Sequence, residues 1–239
     1  MAGVGRNAAN LRIIAGRCGC NGRFHHTVFA LTTMNLWTIL PVKSLHQTKS
    51  RLASILPPDE RAKLTLHLLE RTLDLLQTVP LITETAVITQ DPIVANMAAA
   101  FDCRWSAEPV GSGLNGAVNI GVALAAAEGA THCLILPSDL PFLAGNELAE
   151  LVMLAEATDS HPTVILCGDQ QKQGTNSMIL PTGLGFRFWY GRNSFHRHQQ
   201  EAARLGLACQ IVQLPSLQFD LDTEQDYNLY AKKNEYIPC

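Results

Sequence analysis

From Asn35 onward, short apolar runs alternate with longer stretches in which apolar residues recur every three or four positions. The runs "LWTIL" (36–40), "TAVIT" (85–89), 103–106 and "HCLILP" (132–137) have the length and composition of buried strands. Between them, Glu60 to Gln77 carries Leu64, Leu68, Leu69, Leu73 and Leu76 on one helical face behind the start signal "PPDE", and Asn115 to Glu128 has a second helical pattern. The first half therefore reads βαβαβαβ. Further on, helices are expected near Gly145–Ala157, Asn193–Leu205 and from Thr223, with strands near Thr163–Cys167, Thr175–Pro181 and Ala208–Leu214. Right-handed crossovers between such units build one mostly parallel α/β sheet with helices on both faces, a Rossmann-like arrangement whose strand C-termini are free to hold a ligand. No linker rich in Gly, Pro or Ser and no repeat interrupts this region, so a single domain over 34–239 is expected.

Composition narrows the function classes. A chain of 239 residues, 47% hydrophobic and 16% charged, has ample core for a globular protein. The formal net charge of −3 offers no general attraction to nucleic acid, and no apolar run approaches the roughly 20 residues of a membrane span, so neither partner is expected. The seven cysteines are scattered, several inside apolar runs, which suits free thiols and a cytoplasmic location. Residues 1–33 differ. They hold Arg6, Arg12, Arg17 and Arg23 with no acid, and without them the chain has 14 basic against 21 acidic residues. They read as a disordered or non-native extension ahead of Met34. Cys18 and Cys20 lack a second pair at zinc spacing.

Four segments fall where ligands bind in such a sheet. "PVKSLHQTKSRLA" (41–53) leaves the first strand with Pro41, Lys43, Lys49 and Arg51, cations suited to a polyphosphate. It is neither a P-loop nor a dinucleotide fingerprint, and a solvated basic loop is the bland alternative. "EPVGSGLNGA" (108–117) lets Gly111 and Gly113 bring backbone close to a ligand, while the Asn115 amide can donate and accept toward a base or ribose; a plain helix cap is the alternative. In "LILPSDLPFL" (134–143) a strand runs into Asp139 between Pro137 and Pro141, so the carboxylate stands on stiffened backbone. In "FDLDTEQDY" (219–227) Asp220 and Asp222 share one side of an extended segment, and Thr223, Glu224 and Asp226 form a helix start. Mg²⁺ takes one or two carboxylates and fills its octahedron with water and phosphate oxygens, so Asp139 with Asp222 would suffice.

Together with "GTNSMIL" and "YGRNSFHRH", these motifs resemble the guanylyltransferases of coenzyme F-420 biosynthesis, within the glycosyltransferase-A-type (nucleotide-diphospho-sugar transferase) superfamily, from about Asn35 to Tyr230. The resemblance implies transfer of a guanylyl group from GTP to a small phosphorylated acid: phosphoenolpyruvate, 2-phospho-L-lactate or 3-phospho-D-glycerate. It further implies Asp139 and Asp222 as Mg²⁺ ligands, with Asp220 as an alternate second ligand, and Lys43, Lys49 and Arg51 as catalytic cations on the triphosphate. Pro41, Gly113 and Asn115 fall in its nucleotide site, and Thr175, Asn176, Gly191 and Ser194 in its acceptor site. A homodimer is among the assemblies it allows. No general base is needed, because the acceptor phosphate is already ionised near neutral pH; His196 and His198 are left as structural or peripheral. Two rivals stand beside this reading: a nucleotidyltransferase acting on a molybdopterin or sugar phosphate, with a glycine-richer first loop than Ser44 to Thr48, and a non-catalytic nucleotide-binding regulator.

Overall fold

The computed structural model describes residues 34–109, 111–158 and 161–235; the expectations for residues 1–33, Cys18 and Cys20 included, lie outside them. Seven strands form one sheet: β1 (Leu36–Pro41), β2 (Ile82–Ile88), β3 (Arg104–Ser106), β4 (His132–Ile135), β5 (Thr163–Gly168), β6 (Thr175–Pro181) and β7 (Ala208–Val212), in the order β3-β2-β1-β4-β6-β5-β7. Only β6 runs antiparallel to its neighbours β4 and β5; the remaining pairs are parallel. The helices are α1 (Pro58–Gln77), α2 (Pro92–Ala100), α3 (Gly113–Ala127), α4 (Gly145–Ala157), α5 (Ser194–Arg204) and α6 (Glu224–Glu235). Two short 3₁₀ turns, Ser50–Leu52 and Pro215–Leu217, have no counterpart in the periodicity because three residues carry no period. Helix α2, which the alternation requires but whose apolar "PIVANMAAA" shows little amphipathic contrast, begins at Pro92 behind the cap Asp91, whose carboxylate accepts from Ile93 N.

Alternation along each strand divides the core between two layers. Leu36 and Leu40 of β1 pack with Leu69, Leu73 and Leu76 of α1 and with α2 and α4, while Trp37 and Ile39 face Ala117, Val118 and Ala125 of α3 and Phe195 of α5. Helix α3 lies close to the sheet because Gly121 has no side chain: a Cβ there would stand 2.3 Å from Ile39 Cγ2. A third small cluster, Leu52, Leu68 and Leu221 with Tyr227 and Tyr230, fastens the loop after β1 and α6 to α1.

This order positions the site. From β1 the chain moves outward through β2 to β3, then returns to β4 on the other side of β1, which makes the β1–β4 boundary a topological switch point with a crevice at the strand C-termini. Because β6 is reversed, its first residues, Thr175 and Asn176, arrive at the same end.

Candidate active site

A cleft of about 440 Å³ opens at this boundary. Its wall includes Pro41, Lys43, Lys49 and Arg51 from the loop after β1, Asp139 from the segment after β4, Thr175 and Asn176 from β6, and Asp220 and Asp222 ahead of α6. Residues up to 181 positions apart in sequence thus converge on one volume.

Its electrostatic centre is Lys49. The side chain is 4% exposed, and Nζ donates to Asp139 Oδ2 at 2.7 Å and to Asp222 Oδ1 at 3.3 Å. Burial alone would push the ammonium's pKa down, but the two carboxylates together outweigh it and hold the pKa above its ordinary value. Lys49 adopts a left-handed backbone, φ 48°, uncommon for a residue with a Cβ, and this conformation opens the 3₁₀ turn. Arg51, largely exposed, stands 3.6 Å from Asp222 Oδ2, and Lys43 lies on the exposed rim. Asp220 is half-buried; burial, reinforced by Asp139 and Asp222, pushes its carboxyl up to about 6.

Supports behind these groups explain why the carboxylates converge. Leu221 N donates to Asp139 O at 3.0 Å, tying the Asp220–Asp222 segment to the Asp139 loop. Arg71 of α1 donates to Leu143 O at 2.6 Å and Leu140 O at 3.5 Å, pinning "DLPFL" from behind. The loop after β1 is held at both ends: Asp91 accepts from Leu45 N and Ser44 Oγ, and Arg61 donates to Thr48 O. These three residues carry no motif that points to a ligand, although "QDPI" does announce Asp91 as a helix cap. Thr223 and Asp226 form the expected helix start: Asp226 Oδ2 accepts from Thr223 N and Oγ1, and Asp226 N donates back to Thr223 Oγ1. The Asp222 carboxylate stays out of this cap and faces Lys49 and Arg51.

Five of the residues singled out from the sequence, Gly111, Gly113, Asn115, Gly191 and Ser194, are not on the cleft wall. Gly113, with φ 62°, opens α3 two residues before the expected start, but the wall there is made by Glu108, Leu114 and Ala117. The Asn115 side chain accepts from Tyr190 N at 2.7 Å and donates to Tyr190 O at 3.2 Å, so its amide clamps the chain ahead of α5. Gly191, φ 117°, occupies an exposed turn that a Cβ would strain. Ser194 is 1% exposed, and its Oγ accepts from Thr175 N at 2.9 Å, fixing the backbone of a wall residue instead of facing the cleft. His198 is buried against Thr175, with Nδ1 2.9 Å from Thr175 Oγ1. Tyr190, which opens "YGRNSFHRH" with no role assigned to it there, lines the cleft.

The carboxylate pair suits a cation: two acidic side chains already hold the Lys49 ammonium between them, and a hard divalent ion that keeps water and phosphate oxygens as its other ligands needs no more from a protein. No cluster of three or more His, Cys, Asp or Glu side chains arranged to enclose a metal occurs among the described residues. Cys103, Cys133, Cys167 and Cys209 are free thiols, and no helix among the described residues is long and apolar enough to cross a membrane.

Comparison with known proteins places this cleft in context. A family model described as "Guanylyl transferase CofC like" matches residues 36–230. The chain is 35% identical over 193 residues to a phosphoenolpyruvate guanylyltransferase of Rubrobacter xylanophilus, covering 81% of this chain and 92% of that one. It is 32% identical over 191 residues to a 3-phospho-D-glycerate guanylyltransferase of Phenylobacterium zucineum, covering 79% and 86%. Among solved structures, a nucleotidyl transferase from Methanothermobacter thermautotroptrophicus superposes with a TM-score of 0.60 at 14% identity over 84% of this chain and 99% of that one.

Proposed function

The chain belongs to the guanylyl transferase CofC-like family, and from that premise we propose that it joins GMP from GTP to a small phosphorylated three-carbon acid and releases pyrophosphate, in coenzyme F-420 biosynthesis. Phosphoenolpyruvate is the favoured acceptor, ahead of 2-phospho-L-lactate and 3-phospho-D-glycerate; the 35% identity to the phosphoenolpyruvate guanylyltransferase of Rubrobacter xylanophilus supports that choice. The observation that carries the reading is the meeting of Lys49, Asp139 and Asp222 with Thr175 and Asn176 in one cleft.

The chemistry asks for position and charge. The acceptor's phosphate oxygen attacks the α-phosphorus of GTP, a P–O bond forms, and the bond to the pyrophosphate oxygen breaks with its electron pair leaving on pyrophosphate. Two anions must be held together, so the rim cations Lys43 and Arg51 offset the triphosphate, and Lys49 sets the positions of Asp139 and Asp222. Asp139 and Asp222, with Asp220 beside them, would hold Mg²⁺, which when bound offsets the charge on the reacting phosphates. Thr175 and Asn176 face the cleft from the opposite strand and receive the acid. No side chain is needed to take a proton from the acceptor. Free thiols at four described cysteines support a reducing, cytoplasmic setting.

A pyrophosphate-release assay with each nucleotide and each acid tests the proposal. Turnover should require GTP together with one of the three acids, and chelation should abolish it. Equal rates with CTP would move the protein to the cytidylyl-transferring side of the superfamily, and nucleotide binding without turnover would make it a regulator.

A further inference from the structure

His198 lies at 0% exposure behind the cleft, and both of its ring nitrogens are engaged. Nε2 accepts the N–H of Trp189 at 2.9 Å, and a neutral imidazole carries a single proton, so that proton must be on Nδ1. Nδ1 stands 2.9 Å from Thr175 Oγ1 and is therefore the donor in that bond. An imidazolium would set an Nε2–H against the Trp189 N–H. Burial first, and Arg197 after it, outweigh the attraction of Glu201 and push the ring's pKa down to about 4, so it stays neutral at physiological pH.

The consequence falls on Thr175. Its backbone N–H is taken by Ser194 Oγ and its hydroxyl oxygen by His198, both from α5, while the residue lines the cleft. The hydroxyl proton has no acceptor among the hydrogen bonds of the described residues. Beside it on the same wall are two more buried polar atoms without a partner, Asn176 Nδ2 on a residue 7% exposed and Tyr190 Oη. Those two atoms are enclosed by neighbouring groups, so the Thr175 hydroxyl is the donor left for an oxyanion in the cleft, a phosphate or carboxylate oxygen, since leaving such a group unmet inside a protein is costly.

We infer that His198 is a positioning residue that commits the Thr175 hydroxyl to donate its proton into the cleft, toward an oxyanion of the acceptor acid. The inference rests on the acid binding at Thr175, as proposed above. The ring is itself held in place: Tyr190 packs edge-on at 4.9 Å between centroids, and Phe186 lies at 6.0 Å.

Two measurements on the full chain test it. Nitrogen-15 NMR of histidine-labelled protein, with the His198 signals assigned by their loss in His198→Asn, should show a neutral ring protonated on Nδ1 between pH 6 and 8; an Nε2-protonated ring or an imidazolium there overturns the inference. Steady-state titrations supply the second. Thr175→Val and His198→Leu should each raise the KM for phosphoenolpyruvate by about tenfold or more and leave that for GTP within about twofold, the scale of one charge-assisted hydrogen bond. Because His198 acts through Thr175, the double variant should be no worse than Thr175→Val, and His198→Asn, which keeps an N–H donor at the Nδ1 position, should recover most of the loss. Multiplying effects in the double variant, or equal losses for both substrates, would make His198 a packing residue and overturn the role. A Thr175→Val variant with an unchanged acceptor KM would instead remove the acid from Thr175, whatever the tautomer.

Discussion

At the scale of single residues, one carboxylate and one imidazole carry the sharpest expectations. Asp139 accepts the short bond from Lys49 and lines the cleft. Asp139→Asn keeps the shape and loses the anion, so turnover should fall by about two orders of magnitude or more, the scale of removing a principal charge-stabilising group. Circular dichroism should show the fold retained, and a variant turning over near the parent rate would reduce Asp139 to a strand-end residue. His198 governs acid stability. Its folded pKa of about 4 lies below the unfolded value of 6.5, so the unfolded chain binds the extra proton first. Stability is complete above pH 6.5 and falls as pH drops toward 4, by about 3 kcal/mol from this group. Glu201, held down to about 2 first by its Arg204 hydrogen bonds and further by Arg187 N, adds a loss at still lower pH, below its ordinary 4.5. Denaturant titrations at pH 7 and pH 4.5 should show the slope, and His198→Gln should flatten the part above pH 4.5.

The elements matter through how closely they approach and how their connecting loops are held. Helix α3 touches β1 through Gly121, where even one methyl would meet Ile39 at 2.3 Å and Ile88 at 3.1 Å, both fully buried. Gly121→Ala gains helix propensity worth up to about 1 kcal/mol, but overpacking costs about 1–3 kcal/mol, so the balance should be destabilising. For a domain of this size a net loss of 1 kcal/mol lowers Tm by about 2–4 °C, which calorimetry would resolve; an unchanged or raised Tm would show that the α3–β1 seam yields. The loop after β1 depends on Asp91, whose carboxylate serves Leu45 N, Ser44 Oγ and the first turn of α2 at once. Burial raises its pKa, but those backbone donors outweigh burial and hold it below the ordinary carboxylate value. Asp91→Ala should cost about 1–3 kcal/mol through the lost cap and the unmet Leu45 N–H. It should also raise the KM for GTP, since Lys43, Lys49 and Arg51 ride on that loop, whereas an effect on Tm alone would confine Asp91 to the helix start.

For the whole molecule, among the described residues, which begin at Met34, the two apolar layers, the switch point between β1 and β4 and the cleft are already built. The family match begins at residue 36. A chain starting at Met34 should therefore keep both its melting temperature and its guanylyl transfer. A marked fall in either, measured side by side with the full chain, would assign the arginine-bearing first 33 residues a place on the domain.

Much of this could be read along the chain. Strand and helix periods are properties of consecutive residues, so the order of elements, the loop cations, the isolated Asp139 and the pair Asp220 and Asp222 were all legible. Motif order likewise pointed to the family, because it reflects a shared fold and chemistry. Other features depend on residues far apart meeting in space. The reversal of β6 follows from its short connection to β5, too short for a parallel crossover, but its place beside β4, which brings Thr175 to the cleft, is decided only by the fold. Asn115 and Ser194 look, as isolated residues, like ligand-binding amide and hydroxyl groups; their hydrogen bonds to Tyr190 and Thr175 exist only after α3, β6 and α5 are packed together. The same holds for His198, an unremarkable helix residue in "FHRHQQ". Its proton is placed by Trp189 N on one side and Thr175 Oγ1 on the other, because a ring with one N–H in a water-poor interior must match a donor and an acceptor that the tertiary fold supplies.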